Sequence, residues 1–321
     1  MRAVVVPRHG GPEVLTVEDR PSPSPGPREL LVDSTAAGVN FIDTYQRSGV
    51  YPTETPFVPG LEGAGTVAAV GADVSGVAVG DRVAWMAAPG SYAEQVLVPA
   101  GAAVPVPDGV PDDVAAGALL QGITAHYLAH STYPVREGDT VLLHAGAGGV
   151  GLLLTQLAKQ RGGRVITTVS TDEKEALSRR AGADEVLRYE GFADRARELT
   201  GGRGVDVVYD GVGKATFDDS LASLRPRGMM VLFGGASGQV PPIDPQRLNA
   251  GGSLYLTRPT TAHYIATRDE LTWRAGDILG AIASGTLDLR IGGRYALGDA
   301  GKAHADLESR RTTGKLLILT R

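Results

Sequence analysis

The sequence predicts an α/β protein in which a doubly wound domain is joined to a second, mostly β domain. Three observations lead to this prediction. With 321 residues, of which 42% are hydrophobic and 21% charged, the chain is long enough for two globular domains. Up to about residue 123 it reads as short strands between glycine and proline turns. From there to about residue 264 strands alternate with helices, which is the pattern of a parallel sheet.

The first domain is expected to be discontinuous, with residues 1–123 and 265–321. Its early predicted elements are strands at Ala3–Val6, Leu30–Ser34, Gly65–Val70, Arg82–Trp85 and Tyr92–Val98, and a helix at Phe41–Arg47. Its late predicted elements are helices at Glu270–Ser284 and Ala300–Ser309, and the apolar run Leu316–Leu319. That last run predicts a strand that returns to the first domain.

The second domain, residues 124–264, is expected to be doubly wound. Its predicted strands are Thr140–His144, Arg164–Val169, Glu185–Tyr189, Val205–Tyr209, Met229–Phe233 and Ser253–Leu256. The predicted helices between them are Gly149–Arg161, Glu173–Ala181, Phe192–Leu199 and Thr216–Leu224. Six strands in this order fit the doubly wound dinucleotide-binding fold. We expect the functional site in the crevice between the two domains.

The composition excludes several classes of protein. The chain has no cysteine, so it can form neither a disulfide framework, nor a cysteine-rich zinc lobe, nor a catalytic thiolate. Its net charge of −5 argues against nucleic acid or an anionic membrane as the main partner. The apolar runs are far shorter than the ~20 residues needed to span a bilayer. The first residues do not resemble a secretory leader, and we therefore expect a cytoplasmic protein.

A glycine-rich loop at Gly146–Gly151 matches the pattern G-x-G-x-x-G in the right context. It follows the predicted strand Thr140–His144 and opens a helix with an apolar face. Glycines let the backbone amides at the start of the helix approach a pyrophosphate, and the helix dipole favours its negative charge. The loop therefore predicts a dinucleotide-binding site.

The end of the second predicted strand of this domain favours NADPH over NADH. An NAD-binding unit carries Asp or Glu there to accept the ribose 2′-hydroxyl, whereas this chain reads Val-Ser-Thr at residues 169–171. Without that carboxylate a 2′-phosphate is not repelled, and Ser170 and Lys174 can donate to it. A second interpretation, without any role in binding the cofactor, stays open. Ser170 and Glu173 also fit a helix capping box, and Lys174 also fits a solvated surface charge.

Three short segments resemble the segments that supply the zinc ligands of alcohol dehydrogenases, namely residues 37–40, 60–63 and 120–122. The alcohol dehydrogenases have Cys, His and Cys at the ligand positions, where this chain has Asn40, Leu61 and Gln121. None of the three residues present is a usual zinc ligand. We therefore expect no zinc, and a substrate that accepts hydride without a Lewis acid.

Four segments carry a more specific resemblance, namely Asn40–Tyr45, His144–Gly151, Gly252–Pro259 and Ala303–Arg310. With them the chain resembles the zinc-independent quinone oxidoreductases, the zeta-crystallin-like branch of the medium-chain dehydrogenase/reductase superfamily, over essentially its whole length. The resemblance implies a Rossmann cofactor domain, a GroES-like catalytic domain and NADPH as cofactor. It also implies a homodimer that pairs edge strands at Ser253–Leu256, which would cover an otherwise unpaired apolar edge.

The resemblance further implies which residues bind the cofactor. They are Asn40, Phe41, Tyr45, Thr124 and Tyr127 at the nicotinamide end, Gly148, Gly149 and Val150 at the pyrophosphate, Ser170, Lys174 and Tyr189 at the 2′-phosphate, and Phe233, Gly235, Ala236, Ser237, Thr261 and Arg310 around the ribose and nicotinamide. Asn40, Tyr45 and Tyr51 are candidates for the substrate pocket, although the two tyrosines fit a packing role equally well. No single catalytic residue is expected. Asp43 is interpreted as a helix-start charge and His144 as a core histidine.

The implied chemistry is the transfer of hydride, or of single electrons, from NADPH to a quinone. A quinone is electron-poor, and the anion formed is delocalised, so catalysis would depend mainly on positioning. Two alternatives stay open. One is an NADPH-dependent reductase of α,β-unsaturated ketones or aldehydes. The other is a non-catalytic NADPH-binding protein with a structural or RNA-binding role, to which the acidic net charge is unfavourable.

Overall fold

The computed structural model describes residues 1–321, the whole chain, which folds into two compact units. The first unit comprises Met1–Ile123 and Thr267–Arg321, and the second comprises Thr124–Ala266. The sequence places the second boundary at 264/265, whereas the structure places it at 266/267. No helix is both long enough and apolar enough to cross a lipid bilayer.

The strands and helices follow one another along the chain in three stretches. The first stretch contains β1 (Arg2–Val5), β2 (Thr16–Asp19), β3 (Glu29–Val39), α1 (Phe41–Ser48), β4 (Glu62–Val70), β5 (Arg82–Trp85), β6 (Gln95–Pro99), β7 (Ala103–Pro105) and α2 (Asp112–Tyr127). The second contains β8 (Thr140–Leu143), α3 (Gly149–Gln160), β9 (Arg164–Thr168), α4 (Asp172–Arg180), β10 (Glu185–Leu187), α5 (Phe192–Leu199), β11 (Val205–Asp210), α6 (Phe217–Ser223), β12 (Leu224–Leu232), α7 (Gln246–Ala250) and β13 (Tyr255–Thr257). The third contains α8 (Arg268–Ala283), β14 (Ile291–Ala296), α9 (Ala300–Glu308) and β15 (Lys315–Leu319).

The second unit contains one parallel sheet with the strand order β10-β9-β8-β11-β12-β13. Numbered from β8, this is the order 3-2-1-4-5-6 of the doubly wound nucleotide-binding fold. The sheet core is apolar: Leu142, Ile166 and Val208 of three adjacent strands belong to one buried cluster with Phe192 of α5 and Phe217 of α6. The predicted α/β fold class is therefore confirmed.

The first unit is mostly β. Its larger sheet has the order β14-β15-β3-β4-β5-β7, and β6 also pairs with β3. The last strand, β15, pairs antiparallel with β3 and parallel with β14, so the end of the chain lies beside the strand that leads into α1. Trp85 is fully buried in this unit, and its indole N–H donates to Ser91 Oγ over 2.9 Å. The sheet thus holds the ends of β3, β4 and β15 close together.

Several elements differ from the sequence prediction. Helix α2 was not expected, and its residues 115–119 are all buried. A helix that is buried on every side has no polar face, so it lacks the periodicity by which amphipathic helices are recognised. Strands β2, β7 and β14 were also not expected. Strand β12 begins at Leu224, so the preceding helix ends at Ser223, one residue before the predicted end.

Candidate functional site

The glycine loop lies between β8 and α3 and leaves the start of this helix uncapped. Gly148 is the residue before the helix, and no side chain caps the first turn. The first amides of a helix have no partner within the helix, so those of Gly149 and Val150 can donate to a ligand. Ala145, which precedes the loop, has a left-handed backbone with φ of 55°. The arrangement is suited to a pyrophosphate, which accepts hydrogen bonds from such amides.

The glycines of the loop have different structural roles. A Cβ at Gly146 would lie 2.6 Å from Thr167 Cβ, and one at Gly151 would collide with the carbonyl oxygen of Ala145. These two glycines allow the helix to pack closely on the sheet. A Cβ at Gly148 would instead meet only Ala145, whose carbonyl oxygen is 3.2 Å away. The middle of the loop therefore contacts no residue beyond the adjoining Ala145, and such a bare backbone fits the close approach of a pyrophosphate.

The segment after β9 carries a hydroxyl and an ammonium group side by side. Lys174 Nζ donates to Ser170 Oγ over 3.4 Å, and Ser170 is exposed. The alternative interpretation of Ser170 and Glu173 as a capping box does not hold, because the residue that caps α4 is Thr171, whose Oγ1 accepts from the Lys174 amide. Thr171 lies next to the first helical residue and takes this role, so the Ser170 side chain is not used as a cap.

Acidic side chains near this pair are bound by arginine. Arg188 donates to Asp172 over 2.5 Å and contacts Glu175 at 3.0 Å. Burial lowers the pKa of Lys174, and Glu173 opposes this shift. Arg188 was not among the predicted residues, although it lies directly before Tyr189 and directly after a strand of the same sheet.

Tyr189, which the sequence predicts beside the 2′-phosphate, contacts the segment that leads into the glycine loop. The backbone amide of Ala145 donates to its hydroxyl oxygen over 3.2 Å. The ring of Tyr189 also lies 6.1 Å from the ring of His144. The structure therefore brings the predicted residue Tyr189 to the loop expected to bind the pyrophosphate.

A cluster of hydroxyl groups joins the start of the second unit to the segment after β13. Thr124 Oγ1 lies 3.4 Å from Thr261 Oγ1. The ring of Tyr127 stacks on that of Tyr264, with 4.2 Å between centroids and 7° between planes. Burial raises the pKa of Tyr127, and hydrogen bonds from Thr261 and Thr124 partly oppose this. Thr124, Tyr127 and Thr261, all predicted around the nicotinamide, thus lie together. Tyr264, which was not predicted, packs against Tyr127.

The loop 233–237 is fixed to the loop that follows β11. The Phe233 amide donates to the carbonyl of Asp210 over 2.8 Å, and the Ala236 amide to that of Gly211 over 3.2 Å. Ser237 Oγ donates to the carbonyl of Val212 over 2.8 Å. Both loops follow the carboxyl ends of adjacent parallel strands, where ligands bind in doubly wound sheets. Gly235 lies in the same loop and leaves its backbone uncovered by a side chain.

A buried polar network centred on Asp210 supports these loops. One oxygen of Asp210 accepts from the amides of Val212 and Gly213, both over 2.8 Å, and the other accepts from Thr216 Oγ1 over 2.7 Å. Ser220 Oγ lies 3.1 Å from Asp210 and 2.8 Å from His144 Nε2. Burial lowers the pKa of His144. The interpretation of His144 as a core histidine is confirmed.

In the first unit, the Asn40 side chain is held by two buried ions. Asn40 Nδ2 donates to Glu62 Oε2 over 2.9 Å, and Lys315 Nζ donates to Asn40 Oδ1 over 2.8 Å. Lys315 Nζ also donates to Glu62 Oε2 over 2.5 Å, and both ionic side chains are fully buried. Glu62 and Lys315 were not among the predicted residues. The only indication was a charged residue at the edge of an apolar strand in each case.

The backbone of Asn40 is held by Asp43, which begins a second buried network. Asp43 Oδ2 accepts from the Asn40 amide over 2.8 Å and from the Tyr92 hydroxyl over 2.9 Å, as in a capping box. Tyr92 lies 3.1 Å from His304 Nε2, and Arg47 lies 3.1 Å from His304 Nδ1. Burial raises the pKa of Asp43 to about 7, and lowers that of His304 to about 3. Asp43 thus has the predicted helix-start position.

The aromatic candidates of the first unit form a row along and after α1. The ring centroids of Phe41 and Tyr45 are 6.2 Å apart, and those of Tyr45 and Tyr51 are 5.3 Å apart with edge-to-face geometry. Such contacts also stabilise the fold, so they do not separate a packing role from a ligand-binding role. Arg310, the remaining candidate of this unit, is exposed shortly after α9 and has a left-handed backbone with φ of 57°.

The three positions expected to lack zinc ligands carry other interactions. Asn40 is part of the ion network described above, and Leu61 is half-buried beside Glu62. Gln121 Oε1 is buried without a hydrogen-bond partner. The structure contains no cluster of three or more His, Asp or Glu side chains with metal-binding geometry.

The fold and the glycine loop define a nucleotide-dependent medium-chain dehydrogenase/reductase, and two family models match the chain accordingly. The family model of the alcohol dehydrogenase GroES-like domain matches residues 26–108, and the family model of the zinc-binding dehydrogenases matches residues 149–269.

Comparison with individual proteins narrows this class. Quinone oxidoreductase of Pseudomonas aeruginosa is 46% identical over 317 residues, which cover 97% of each chain. A 2-haloacrylate reductase of a Burkholderia species is 41% identical, over 99% of this chain and 98% of its own. The structure of a mycobacterial protein complexed with NADPH is 57% identical, covers 99% of this chain and 100% of its own, and superimposes with a TM-score of 0.97. The chain belongs to the quinone oxidoreductase family of this superfamily.

Proposed function

We propose that the protein is an NADPH:quinone oxidoreductase that works without zinc. The observation that carries the proposal is the pair of Ser170 and Lys174 after β9, where an NAD-binding unit carries a carboxylate. The full-length relative named quinone oxidoreductase and the similar mycobacterial structure complexed with NADPH support the same assignment. Bound NADPH supplies a hydride to the quinone.

The chain's own residues bind and orient the two reactants. The amides of Gly149 and Val150 donate to the pyrophosphate, and Gly148 supports it by leaving the backbone uncovered. Ser170 and Lys174 donate to the 2′-phosphate, with Tyr189 beside them. The remaining residues that we assign to the cofactor are Asn40, Phe41, Tyr45, Thr124, Tyr127, Phe233, Gly235, Ala236, Ser237, Thr261 and Arg310. Tyr51 is assigned, with Asn40 and Tyr45, to the substrate pocket. No side chain is assigned as a catalytic acid or base, because water can protonate a delocalised quinol anion.

Zinc independence follows from residue chemistry. Asn40, Leu61 and Gln121 stand where the alcohol dehydrogenases have zinc ligands, and none of them is a usual ligand for this metal. Metal analysis of the purified protein is expected to find far less than one zinc per chain. Stoichiometric zinc that is retained on dialysis and needed for turnover would refute this part of the proposal.

The activity is tested by initial rates with both cofactors and a panel of ortho- and para-quinones. We expect quinone-dependent oxidation of NADPH, and a kcat/KM for NADPH at least about tenfold above that for NADH, because charge-assisted hydrogen bonds to the 2′-phosphate are each worth ~1.5–3 kcal/mol. A protein that binds NADPH but oxidises it with no acceptor would instead have the non-catalytic role.

Reduction of an activated C=C bond is the second candidate function. The 2-haloacrylate reductase relative covers nearly the whole chain and favours this alternative. Hydride addition to such a bond also gives a delocalised anion, so this reaction likewise needs the reactants to be positioned but needs no metal ion. The ratio of kcat/KM for quinones to that for enones and 2-haloacrylates decides between the two, and a consistent preference for the alkenes would reject the quinone assignment.

We propose further that the protein is a cytoplasmic homodimer that pairs the β13 edges of two copies. Strand β13 ends the parallel sheet, and Tyr255 in it is 58% exposed. An unpaired edge with an exposed apolar side chain invites strand pairing. Light scattering should give twice the chain mass, and Leu256→Pro, which removes an amide donor from this strand, should give monomers. A monomeric wild-type protein at micromolar concentration would contradict the proposal.

A further inference from the structure

The Asn40 side chain lies between an obligatory acceptor and an obligatory donor. Glu62 can only accept hydrogen bonds while it is ionised, and Lys315 can only donate them. Asn40 Nδ2 faces the carboxylate and Asn40 Oδ1 faces the ammonium, at 2.9 Å and 2.8 Å. A rotation of the amide by 180° would point its N–H groups at the ammonium and its oxygen at the carboxylate. Donor would then face donor, and acceptor would face acceptor. The charges therefore fix which end of the amide points in which direction.

The ion pair is itself fixed from several elements. Glu62 Oε1 accepts from the amide of Leu120 in α2 over 2.7 Å, so both carboxylate oxygens have partners. A Cβ at Gly38 would collide with Glu62 and would lie 2.7 Å from Lys315 Cε. A Cβ at Gly117 would lie 2.8 Å from Lys315 Cγ. The two glycines therefore leave the space that the ion pair fills, and any larger residue at either position would displace it.

Stability alone does not explain this arrangement. The two side chains are fully buried, and removing two charges from water is so unfavourable that apolar residues of similar volume often give an equally stable protein. What apolar residues could not do is impose one orientation on the Asn40 amide. The specific effect of the ion pair is therefore on Asn40.

We propose that Glu62 and Lys315 are positioning residues, which act through Asn40 to orient the nicotinamide end of the cofactor for hydride transfer. This inference rests on the proposed function, in which Asn40 contacts that end. The nicotinamide carries a carboxamide whose donor and acceptor ends need complementary partners. Asn40 Nδ2 also donates to the Gly38 carbonyl over 3.3 Å, so the fixed amide offers the second lone pair of its oxygen in a defined direction. A rotating amide would offer no acceptor in a defined direction.

The test uses a neutral variant in which no lone charge stays buried. The double substitution Glu62→Gln with Lys315→Met keeps the side-chain volumes. The glutamine introduced at position 62 can still accept from the Leu120 amide through its oxygen. Its amide nitrogen then faces Asn40 Nδ2, so the orientation that the ion pair imposes on Asn40 is lost. We expect kcat to fall about tenfold or more, since small misplacements of reactants cost up to ~100-fold in rate. The dissociation constant of NADPH should change less than about threefold, because the phosphate contacts lie elsewhere in the chain.

A mutant cycle with Asn40→Ala separates positioning from a general structural effect. If Glu62 and Lys315 act through Asn40, the triple variant should have the kcat of Asn40→Ala within about twofold. Losses that multiply, or a double variant with wild-type kcat, would overturn the inference. The control is Lys159→Met with Asp184→Asn, which neutralises a half-exposed pair at 2.8 Å in the second unit and should leave kcat unchanged.

A measurement on the unmodified protein does not depend on turnover or on variant folding. The two side-chain N–H resonances of Asn40, assigned by their loss in Asn40→Ala, should be separate, slowly exchanging with water and shifted by NADPH. Rapid exchange in the wild-type protein, or no response to NADPH, would refute the fixed orientation of this amide or its contact with the cofactor. If the protein reduces neither quinones nor alkenes, the proposed function fails, while this measurement still decides whether Asn40 is fixed and contacts NADPH.

Discussion

Replacement of Lys174 should weaken NADPH binding while leaving NADH almost unaffected. The ammonium of Lys174 lies 3.4 Å from Ser170 Oγ, directly after the second strand of the parallel sheet. A hydrogen bond between charged groups contributes ~1.5–3 kcal/mol. Because Lys174 is only half-buried and Glu173 lies beside it, the lower limit of about 1.5 kcal/mol applies. Lys174→Ala should therefore raise the dissociation constant of NADPH roughly tenfold.

The assay is fluorescence titration with both cofactors, followed by initial rates with a quinone that saturates the enzyme. NADH lacks the 2′-phosphate, so its dissociation constant should change less than about twofold. Lys159→Ala, in the same unit but paired with Asp184, is the matched control and should affect neither cofactor. An equal loss for NADPH and NADH on substitution of Lys174 would refute the reasoning, because it would show an effect that is not specific to the phosphate.

The reverse design starts from Ser170. Ser170→Asp introduces a carboxylate at the position where NAD-binding units accept the ribose 2′-hydroxyl. It should repel the 2′-phosphate and shift the preference toward NADH. If Ser170→Asp leaves the ratio of the two dissociation constants unchanged, this segment does not contact the adenosine ribose at all.

Three further predictions concern the framework of the site. Gly151→Ala should lower the free energy of unfolding by about 1–3 kcal/mol, measured in urea, because its methyl group would collide with a backbone carbonyl of the loop. Asp210→Ala should cost roughly 3 kcal/mol in the same experiment, since it leaves several buried donors unpaired. Between pH 4 and 6.5 two buried groups make the free energy of unfolding depend on pH in opposite directions. The pKa of Asp43 is raised to about 7, so the folded chain keeps a proton that the unfolded chain loses, and stability falls as pH rises. The pKa of His304 is lowered to about 3, so the unfolded chain binds a proton that the folded chain does not, and stability rises with pH. Asp43→Asn removes the first slope, and the stability of this variant should rise by up to ~1.4 kcal/mol per pH unit across that window; a curve parallel to that of the wild-type protein would contradict the assignment.

The features that sequence analysis predicted correctly are those determined by nearby residues. The glycine loop, the strand before it and the helix after it lie within about twenty residues, and their pattern reflects local backbone requirements. The missing carboxylate after β9 is also a local feature. The sequence does not determine which residue caps α4, since Ser170 and Thr171 are adjacent and both carry a hydroxyl group. The structure decides this by the Thr171 hydroxyl, which accepts from the Lys174 amide over 3.3 Å.

The features that it missed depend on long-range pairing. Glu62 and Lys315 are 253 positions apart and meet only because β15 pairs with β3, which pairs with β4. Neither residue carries a motif, and a lysine before an apolar strand is ordinarily a solvated charge. Likewise Tyr264 lies beside Tyr127 only through the fold of the second unit. Such partners cannot be identified from spacing, because the sheet register that joins them is not encoded within either segment.

The residues around Asn40 show how this chain differs from a metal-dependent dehydrogenase. In alcohol dehydrogenases the corresponding segment supplies a zinc ligand, and the metal polarises the substrate. Here the same position carries an amide held by a carboxylate and an ammonium group, so the nearest positive charge, that of Lys315, is already engaged by two oxygens within 2.8 Å. A cation with both partners in place stabilises a developing substrate anion poorly, since its charge is compensated. In the proposed site the network therefore orients a reactant without activating it. This suits acceptors such as quinones and activated alkenes, because they delocalise the incoming electron pair themselves.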